Sequence, residues 1–466
     1  MFRRTGGLLI VAIAVIGQVV AVPRGFAEDD TPQAADPIGG NVFVMTNSPD
    51  RVLGNQVVMY NRFESGRLDV LGYFPTGGLG SGPAPTSTVL GFPVPASADG
   101  LGSSNALMLS EDQRCLFAVN AGSDTISAFR VFPRRGVSLI DIESSGGVFP
   151  VSLTLQNDLL YVLNSGNEGT IAGFRVRGDC MVVPLAGASR SLAAFNDAFP
   201  TPEPGEVLTT PAQVSFTPDG TKLVVSIKGG PASALGGRIV VYALDDDGLI
   251  TGDGVATEFS VAENTGWPFS FFFDTNGHLY VIHANSFTVA SYRLRDDNTL
   301  KLIDGPVSTG HPFPCWTAQN GQFAYIANFG PIAAAEPGLE VDGPGVISAI
   351  RINQSNGTFK LIDDDAAVYP DEVNGNHAID ITLIEAGAQG PFLYGVQPRT
   401  GMVQGWKVNA DGSLTDLGRV GGLFPGVDPN SPTINAFSER CFIDSDEEPV
   451  PECEVGVGSA QAITGF

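Results

Sequence analysis

Seven times along the chain a short, nearly unbroken apolar segment ends near a polar residue, and a second alternating segment follows it. The copies of the first segment are NVFVMTN at 41–47, RCLFAVN at 114–120, LLYVLN at 159–164, KLVVSI at 222–227, HLYVIH at 278–283, FAYIAN at 323–328 and FLYGVQ at 392–397. The partner segments are VVMYNRF, TISAFRV, TIAGFRV, GRIVVYAL, TVASYRL, VISAIRI and MVQGWKV. Turn-rich stretches such as Asp411-Gly412-Ser413-Leu414 and Asn356-Gly357-Thr358-Phe359 then predict a hairpin leading to an outermost strand. Ahead of most copies sits a further apolar strand: NALML, PVSLTL, PAQVSF, PFSFFF, PCWTAQ and AIDITL.

Four strands per unit at this period leave each sheet with two faces to bury, and neighbouring sheets bury them by stacking around an axis. The expected fold class is all-β: a seven-bladed β-propeller with four-stranded antiparallel blades. A pair of β-sandwiches would require the repeat to be accidental. The first copy lacks an inner strand of its own, so Ser459–Phe466 at the chain's end is expected to complete that blade. Closing the ring in this way removes exposed sheet edges.

A content of 58 Gly and 33 Pro with only 16% charged residues suits many short strands joined by turns rather than long amphipathic helices. Residues 1–27 open with Arg3 and Arg4, run apolar from Leu8 to Ala21 and reach Gly25-Phe26-Ala27 before Glu28-Asp29-Asp30. That order reads as a signal peptide cleaved after Ala27. The alternative, a retained anchor, would need a longer run, about 20 apolar residues. Residues 28–40 form an Asp/Pro/Ala-rich lead-in, and 41–466 the propeller. The expected location is secreted or periplasmic, with no membrane association after cleavage.

With 25 Lys+Arg against 50 Asp+Glu the formal charge is −25, which opposes binding to nucleic acid or anionic lipid headgroups. The expected partner is a small molecule, met by a monomer. In an oxidising compartment Cys441 and Cys453, flanking an acidic loop, are the first disulfide candidates. Cys115 and Cys180 could form another if their blades are neighbours. An odd total, with Cys315, leaves a thiol over.

Insertions at 77–103, 187–210, 329–344 and 364–377, dense in Gly, Pro or acidic residues, read as loops or as a lid over one face. Asn353-Gln354-Ser355 and Asn356-Gly357-Thr358 match glycosylation sequons. Asp245-Asp246-Asp247 and Asp363-Asp364-Asp365 read as solvated turns, and His278 as an outward turn residue.

In a propeller, the starts of inner strands and the ends of second strands meet at one mouth of the central channel. Register therefore nominates Asn47, Asn120, Asn164, Ile227, His283, Asn328 and Gln397 as a mostly polar ring suited to hydroxyls and carbonyls. An Asn at a strand end also caps its own turn. His283 is the titratable member. His311 and His377 precede inner strands and could approach the same mouth, as could Asp380. Gln213, Trp267, Cys315 and Trp316 complete the ligand-binding candidates. A metal would need His283, His311, His377 and Asp380 to converge across blades, and none is expected. The chain carries no G-x-S-x-G elbow, H-E-x-x-H helix, phosphate loop or dinucleotide fingerprint in a suitable context, no haem-attachment motif and no cysteine cluster, so no cofactor is expected.

The phrases Val119-Asn120-Ala121-Gly122-Ser123-Asp124, Tyr161-Val162-Leu163-Asn164-Ser165-Gly166, Pro211-Ala212-Gln213-Val214, Phe216-Thr217-Pro218-Asp219-Gly220 and Cys315-Trp316 are similar to those of the lactonase-like seven-bladed propellers related to 6-phosphogluconolactonase and 3-carboxymuconate cyclase. The resemblance covers nearly all of the mature chain and is greatest to the secreted branch. It implies lactone opening or closure by His, Arg and acidic side chains at the channel mouth. Here Pro211-Ala212-Gln213 stands where active members carry a His-containing motif. Ser226-Ile227-Lys228 stands where secreted relatives show Thr-Glu-Lys, so Ile227 replaces the acid.

Two readings follow. In the first, the chain is a lactonase-like hydrolase or isomerase acting on a small sugar-derived or carboxylic lactone, with His283 as base, Lys228 on the oxyanion, His311 nearby and Trp316 against the substrate ring. In the second, it is a non-catalytic exported propeller that binds a small ligand or a protein partner at the same mouth.

Overall fold

The computed structural model describes residues 36–82, 87–89, 92–94, 99–196, 210–229, 236–331, 343–370, 377–398, 400–423 and 462–466. The expected leader at 1–27, the expected lead-in up to residue 35 and the Cys441–Cys453 candidate bridge lie outside them. The compact unit starts at Pro37.

Seven four-stranded antiparallel sheets follow one another. From the axis outwards, blade one is Ala462–Gly465, Ile38–Met45, Gln56–Phe63 and Leu68–Pro75. Blade two is Leu107–Leu109, Cys115–Asn120, Thr125–Phe132 and Gly136–Ser144; blade three is Pro150–Gln156, Leu159–Asn164, Thr170–Val176 and Val182–Ser191. Blade four comprises Pro211–Phe216, Lys222–Ile227, Gly237–Leu244 and Ile250–Phe259. Blade five comprises Pro268–Phe273, His278–His283, Thr288–Leu294 and Leu300–Ser308. Blade six is Pro314–Gln319, Phe323–Asn328, Val346–Asn353 and Thr358–Val368, and blade seven Ile379–Glu385, Pro391–Gln397, Met402–Val408 and Leu414–Val420. Each inner strand touches the next, and that of blade seven touches Ala462–Gly465, which in turn touches that of blade two, so the ring is closed. A two-stranded hairpin, Ser87–Val89 with Phe92–Val94, lies in the connection from blade one to blade two.

The tail's expected return is what closes the circle: Val42, Phe43, Val44 and Met45 pair antiparallel with Gly465, Thr464, Ile463 and Ala462. Arg62 Nε donates to the Phe466 carbonyl at 3.2 Å, tying the last residue to the blade's next strand.

Burial explains the repeat. The second strands of blades two, three, five and six are buried at every position, because each lies mid-blade with a neighbouring sheet against either face. They therefore read as continuous apolar runs, whereas outer strands such as Gly136–Ser144 meet water. Tyrosines on these second strands lock blade to blade. Tyr161 donates to the Gly248 carbonyl at 2.6 Å, Tyr325 to Gly412 at 2.9 Å and Tyr394 to Gly66 at 2.6 Å. Each acceptor is a left-handed glycine in the following blade's outer hairpin, at φ 77°, 96° and 90° respectively. The third lock spans the ring closure.

Cys115 and Cys180 form a disulfide between blades two and three, with Cα atoms 5.5 Å apart, and Cys315 is a free, buried thiol. His278 does not face outward. It is 7% exposed, and its Nδ1 lies 2.8 Å from Asp274 Oδ2.

Candidate functional site

Inner strands do not start regularly. In blades three, four, six and seven the register with the second strand slips by one residue immediately after the first pair, leaving Val151, Ala212, Cys315 and Asp380 unpaired. Blade five slips over Phe269 and Ser270. A bulge re-aims the side chain or peptide it skips. Repeated at the same end of five blades, it directs these residues toward the middle of the ring.

What fills that middle is part of the 77–103 insertion. Residues 99–105 bond to the inner strands of blades three and four: Ser103 Oγ donates to Val151 O at 2.8 Å, Ser104 N to Ala212 O at 3.1 Å and Leu153 N to Asn105 O at 2.8 Å. From blade six Trp316 Nε1 donates to Ser103 O at 2.8 Å, and from blade four Lys228 Nζ donates to Gly102 O. A Cβ at Gly100 would lie 1.8 Å from Gly82 O, so this close approach admits only glycine. Gly102 is left-handed, with φ 57°.

The segment also brings in an acid. Asp99, 8% exposed, accepts the Gly102 N–H on Oδ1 at 2.7 Å, and burial lifts its carboxyl to about 6 against the pull of that bond and of Lys228. Lys228 is 1% exposed, and burial lowers its ammonium to about 8, with Asp99 opposing the shift. Its Nζ also lies 5.0 Å from the Phe269 ring centroid. Asp380 accepts the Ile463 N–H at 3.2 Å, and burial pushes its carboxyl up to about 8, with the negative charge of Asp99 adding to the rise. Burial raises the Cys315 thiol, which keeps it protonated and a poor nucleophile. An aromatic wall completes the cluster. Trp316 meets Phe269 edge-on at 5.2 Å and lies 6.4 Å from Phe329, and His377 stacks on Phe329 at 3.9 Å while its Nδ1 donates to Phe329 O at 2.9 Å.

Chemically, near neutral pH this set offers one carboxylate, one ammonium and one protonated carboxylic acid within a single water-poor centre. Such groups can take a proton from water, hold a developing oxyanion and return a proton to a leaving alkoxide.

Of the residues nominated from the sequence, Lys228, Cys315, Trp316, His377 and Asp380 are brought together here. Trp267 belongs to the same apolar cluster as Phe269 and Trp316. Gln213 instead joins two inner strands, exchanging hydrogen bonds of 2.9 Å with both backbone groups of Phe271. Asn120 and Asn164 turn into the seams between blades, and Asn328 turns onto the neighbouring strand of its own blade. Asn120 accepts from Asn55 and Thr76 and donates to Thr125 and Ser127; Asn164 donates to Ser145 O; Asn328 donates to Val346 O and Ser348 Oγ. Their donor capacity is spent on the fold.

His283 sits apart from the cluster, packed 5.0 Å from Phe259 of blade four with Nε2 3.1 Å from Tyr292 Oη, and burial drives its pKa down to about 3. His311 pairs at 2.8 Å with Asp365, which lies with Asp363 and Asp364 on the outer strand of blade six and not in a turn. Ile227, 1% exposed, is a core residue. Asp99, Phe269 and Phe329 were not nominated. Asp99 belongs to no repeat unit, so register could not reach it, and Phe269 was hidden as one more apolar residue of a strand.

No protein-family model matches this sequence, and no curated protein matches it. Solved structures do. A periplasmic gluconolactonase of Pseudomonas aeruginosa superposes with a TM-score of 0.57 at 16% identity, over 82% of this chain and 95% of that one. Candidate 6-phosphogluconolactonases of Bacteroides fragilis and Bacteroides uniformis each give 0.53 at 18% identity, over 81% of this chain and 93% and 95% of theirs. The fold is that of the 6-phosphogluconolactonase-like seven-bladed propellers.

Proposed function

We propose that this chain is an exported lactonase that opens a small sugar-derived or carboxylic lactone at the centre of the propeller. The observation that carries the reading is the buried Asp99, Lys228 and Asp380 set beside Trp316. The Asp99 carboxylate takes a proton from water as the water oxygen attacks the lactone carbonyl carbon. Lys228 holds the oxyanion. On collapse the ring C–O bond breaks, and the departing alkoxide takes the proton of neutral Asp380, while Trp316 packs on the ring. Asp99 thus supplies the acid missing at Ile227. Gluconolactone and its 6-phosphate, named for the structural neighbours, are the first substrates to try.

Export is supported by the charged, apolar and small-residue order of residues 1–27 and by the Cys115–Cys180 disulfide. A monomer meeting small molecules, without nucleic acid, fits the −25 charge.

The second reading, a non-catalytic propeller that binds a small ligand or protein partner, is favoured by the near-complete burial of the same groups. A pH-stat assay against a lactone panel separates the two. Turnover lost in Lys228→Met supports the enzyme, and turnover equal to buffer retires it.

A further inference from the structure

Every polar group of the central cluster is covered: Asp99 is 8% exposed, Lys228 1%, Trp316 1%, His377 2% and Asp380 6%. A substrate reaches them only if something moves. Residues 100–104 belong to no sheet and are held by individual hydrogen bonds, among them Lys228 to Gly102 O, Trp316 to Ser103 O, Ser103 Oγ to Val151 O, Ser104 N to Ala212 O and Ser81 Oγ to Gly100 O.

Two of these bonds have a particular chemistry. The ammonium that would hold a lactone's oxyanion and the indole N–H of the ring that would pack on it are both occupied by consecutive peptide carbonyls, those of Gly102 and Ser103. A peptide carbonyl resembles a lactone carbonyl in polarity and planarity, so the chain occupies its own site with a substrate-like group.

We propose that the Gly102-Ser103 peptide is an intramolecular gate, closed in this structure by mimicry of the substrate carbonyl and opened by rotation about left-handed Gly102. The gate rests on the lactonase reading for its substrate, but not for its motion. Rotation of this one peptide withdraws the Gly102 carbonyl from Lys228, while Asp99, three residues earlier, stays in place. Glycine adopts φ 57° at no steric cost, whereas an L-residue resists it.

The test reads Lys228 directly. Acetylation by acetic anhydride at pH 8 is followed by mass spectrometry of the Lys228 peptide, with exposed Lys301 as internal reference. Gly102→Ala disfavours the closed peptide and should raise the relative labelling rate of Lys228 about fivefold, the factor for a left-handed L-residue. Ser103→Ala removes the Oγ tether to Val151 without touching the proposed catalytic groups, and should raise it several-fold. If Gly102→Ala does not fold, Ser103→Ala decides. Faster labelling in either folded variant supports the gate, whether or not lactones turn over. Unchanged labelling in the folded variants overturns it, even if lactone turnover is robust; faster labelling with no turnover keeps the gate and removes the lactonase.

Discussion

Replacing Asp380 by Asn should make the protein more stable, and by an amount that grows with pH. The carboxyl is 6% exposed and titrates at about 8 in the fold against 3.8 as its ordinary value, chiefly because burial penalises its charge. Between those two values the native state holds a proton that the unfolded chain has released. Stability therefore falls as pH rises through this window, by about 1.4 kcal/mol per unit. Asn is isosteric, keeps an oxygen to accept the Ile463 N–H, and does not titrate. The wild-type and Asp380→Asn curves should nearly meet at pH 4 and diverge to about 4 kcal/mol at pH 7 and about 5 kcal/mol at pH 8, the variant being the more stable. Groups not coupled to Asp380 titrate in both proteins and cancel in the difference. Urea unfolding at pH 4, 5, 6, 7 and 8, followed by the fluorescence of buried Trp316 and Trp406, measures it. Parallel curves across this range would refute the claim that Asp380 is buried as a neutral acid.

His283 should act with the opposite sign. Its folded pKa of about 3 lies below the ordinary 6.5, so stability is lost as pH falls through that interval, about 2 kcal/mol by pH 5, and His283→Phe should flatten this limb in acid unfolding curves. Removing the disulfide by Cys115→Ser with Cys180→Ser releases a 65-residue separation and should cost about 4 kcal/mol on the chain-entropy account, read as a lower urea midpoint; an unchanged midpoint would exclude that bridge. Tyr325→Phe leaves the Gly412 carbonyl without this donor and should cost about 1 kcal/mol, with the same expected of Tyr161→Phe and Tyr394→Phe if the three locks are equivalent.

The architecture was legible because a propeller repeats its physics. A strand buried on both faces must be apolar throughout, so LLYVLN, HLYVIH and FAYIAN announce themselves, and the missing inner strand of the first copy pointed to Ala462–Gly465. The site was legible only in part. Register points to the end of the ring where inner strands begin and, at that end, to the last residues of second strands. Those side chains are taken up by the fold: Asn120 meets the Thr76 hydroxyl across a seam, and Asn328 the Ser348 hydroxyl on the next strand of its own blade. Part of the central cluster comes from residues skipped by the bulge, one place after the opening Pro or Ile, and a one-residue slip leaves no mark in a hydrophobic pattern. Cys315 and Asp380 occupy two such positions. Asp99 lies beyond any periodicity, in an insertion whose place depends on contacts with blades three, four and six. His283 stood out as a titratable residue in a polar register, yet an aromatic seam formed by Phe259 and Tyr292 absorbs it.

The pairing of Asp99 with Lys228 as base and oxyanion holder is tested most directly by the pH dependence of lactone opening. Initial rates are taken from pH 5 to 9 for the wild type, Asp99→Asn and Lys228→Met. Carboxylate Asp99 and ammonium Lys228 coexist between about 6 and about 8, so kcat/KM should be bell-shaped with limbs near those values, and each variant should lose the activity. A wild-type rate that rises monotonically with pH like hydroxide-catalysed hydrolysis, or survives in Lys228→Met, would contradict the assignment.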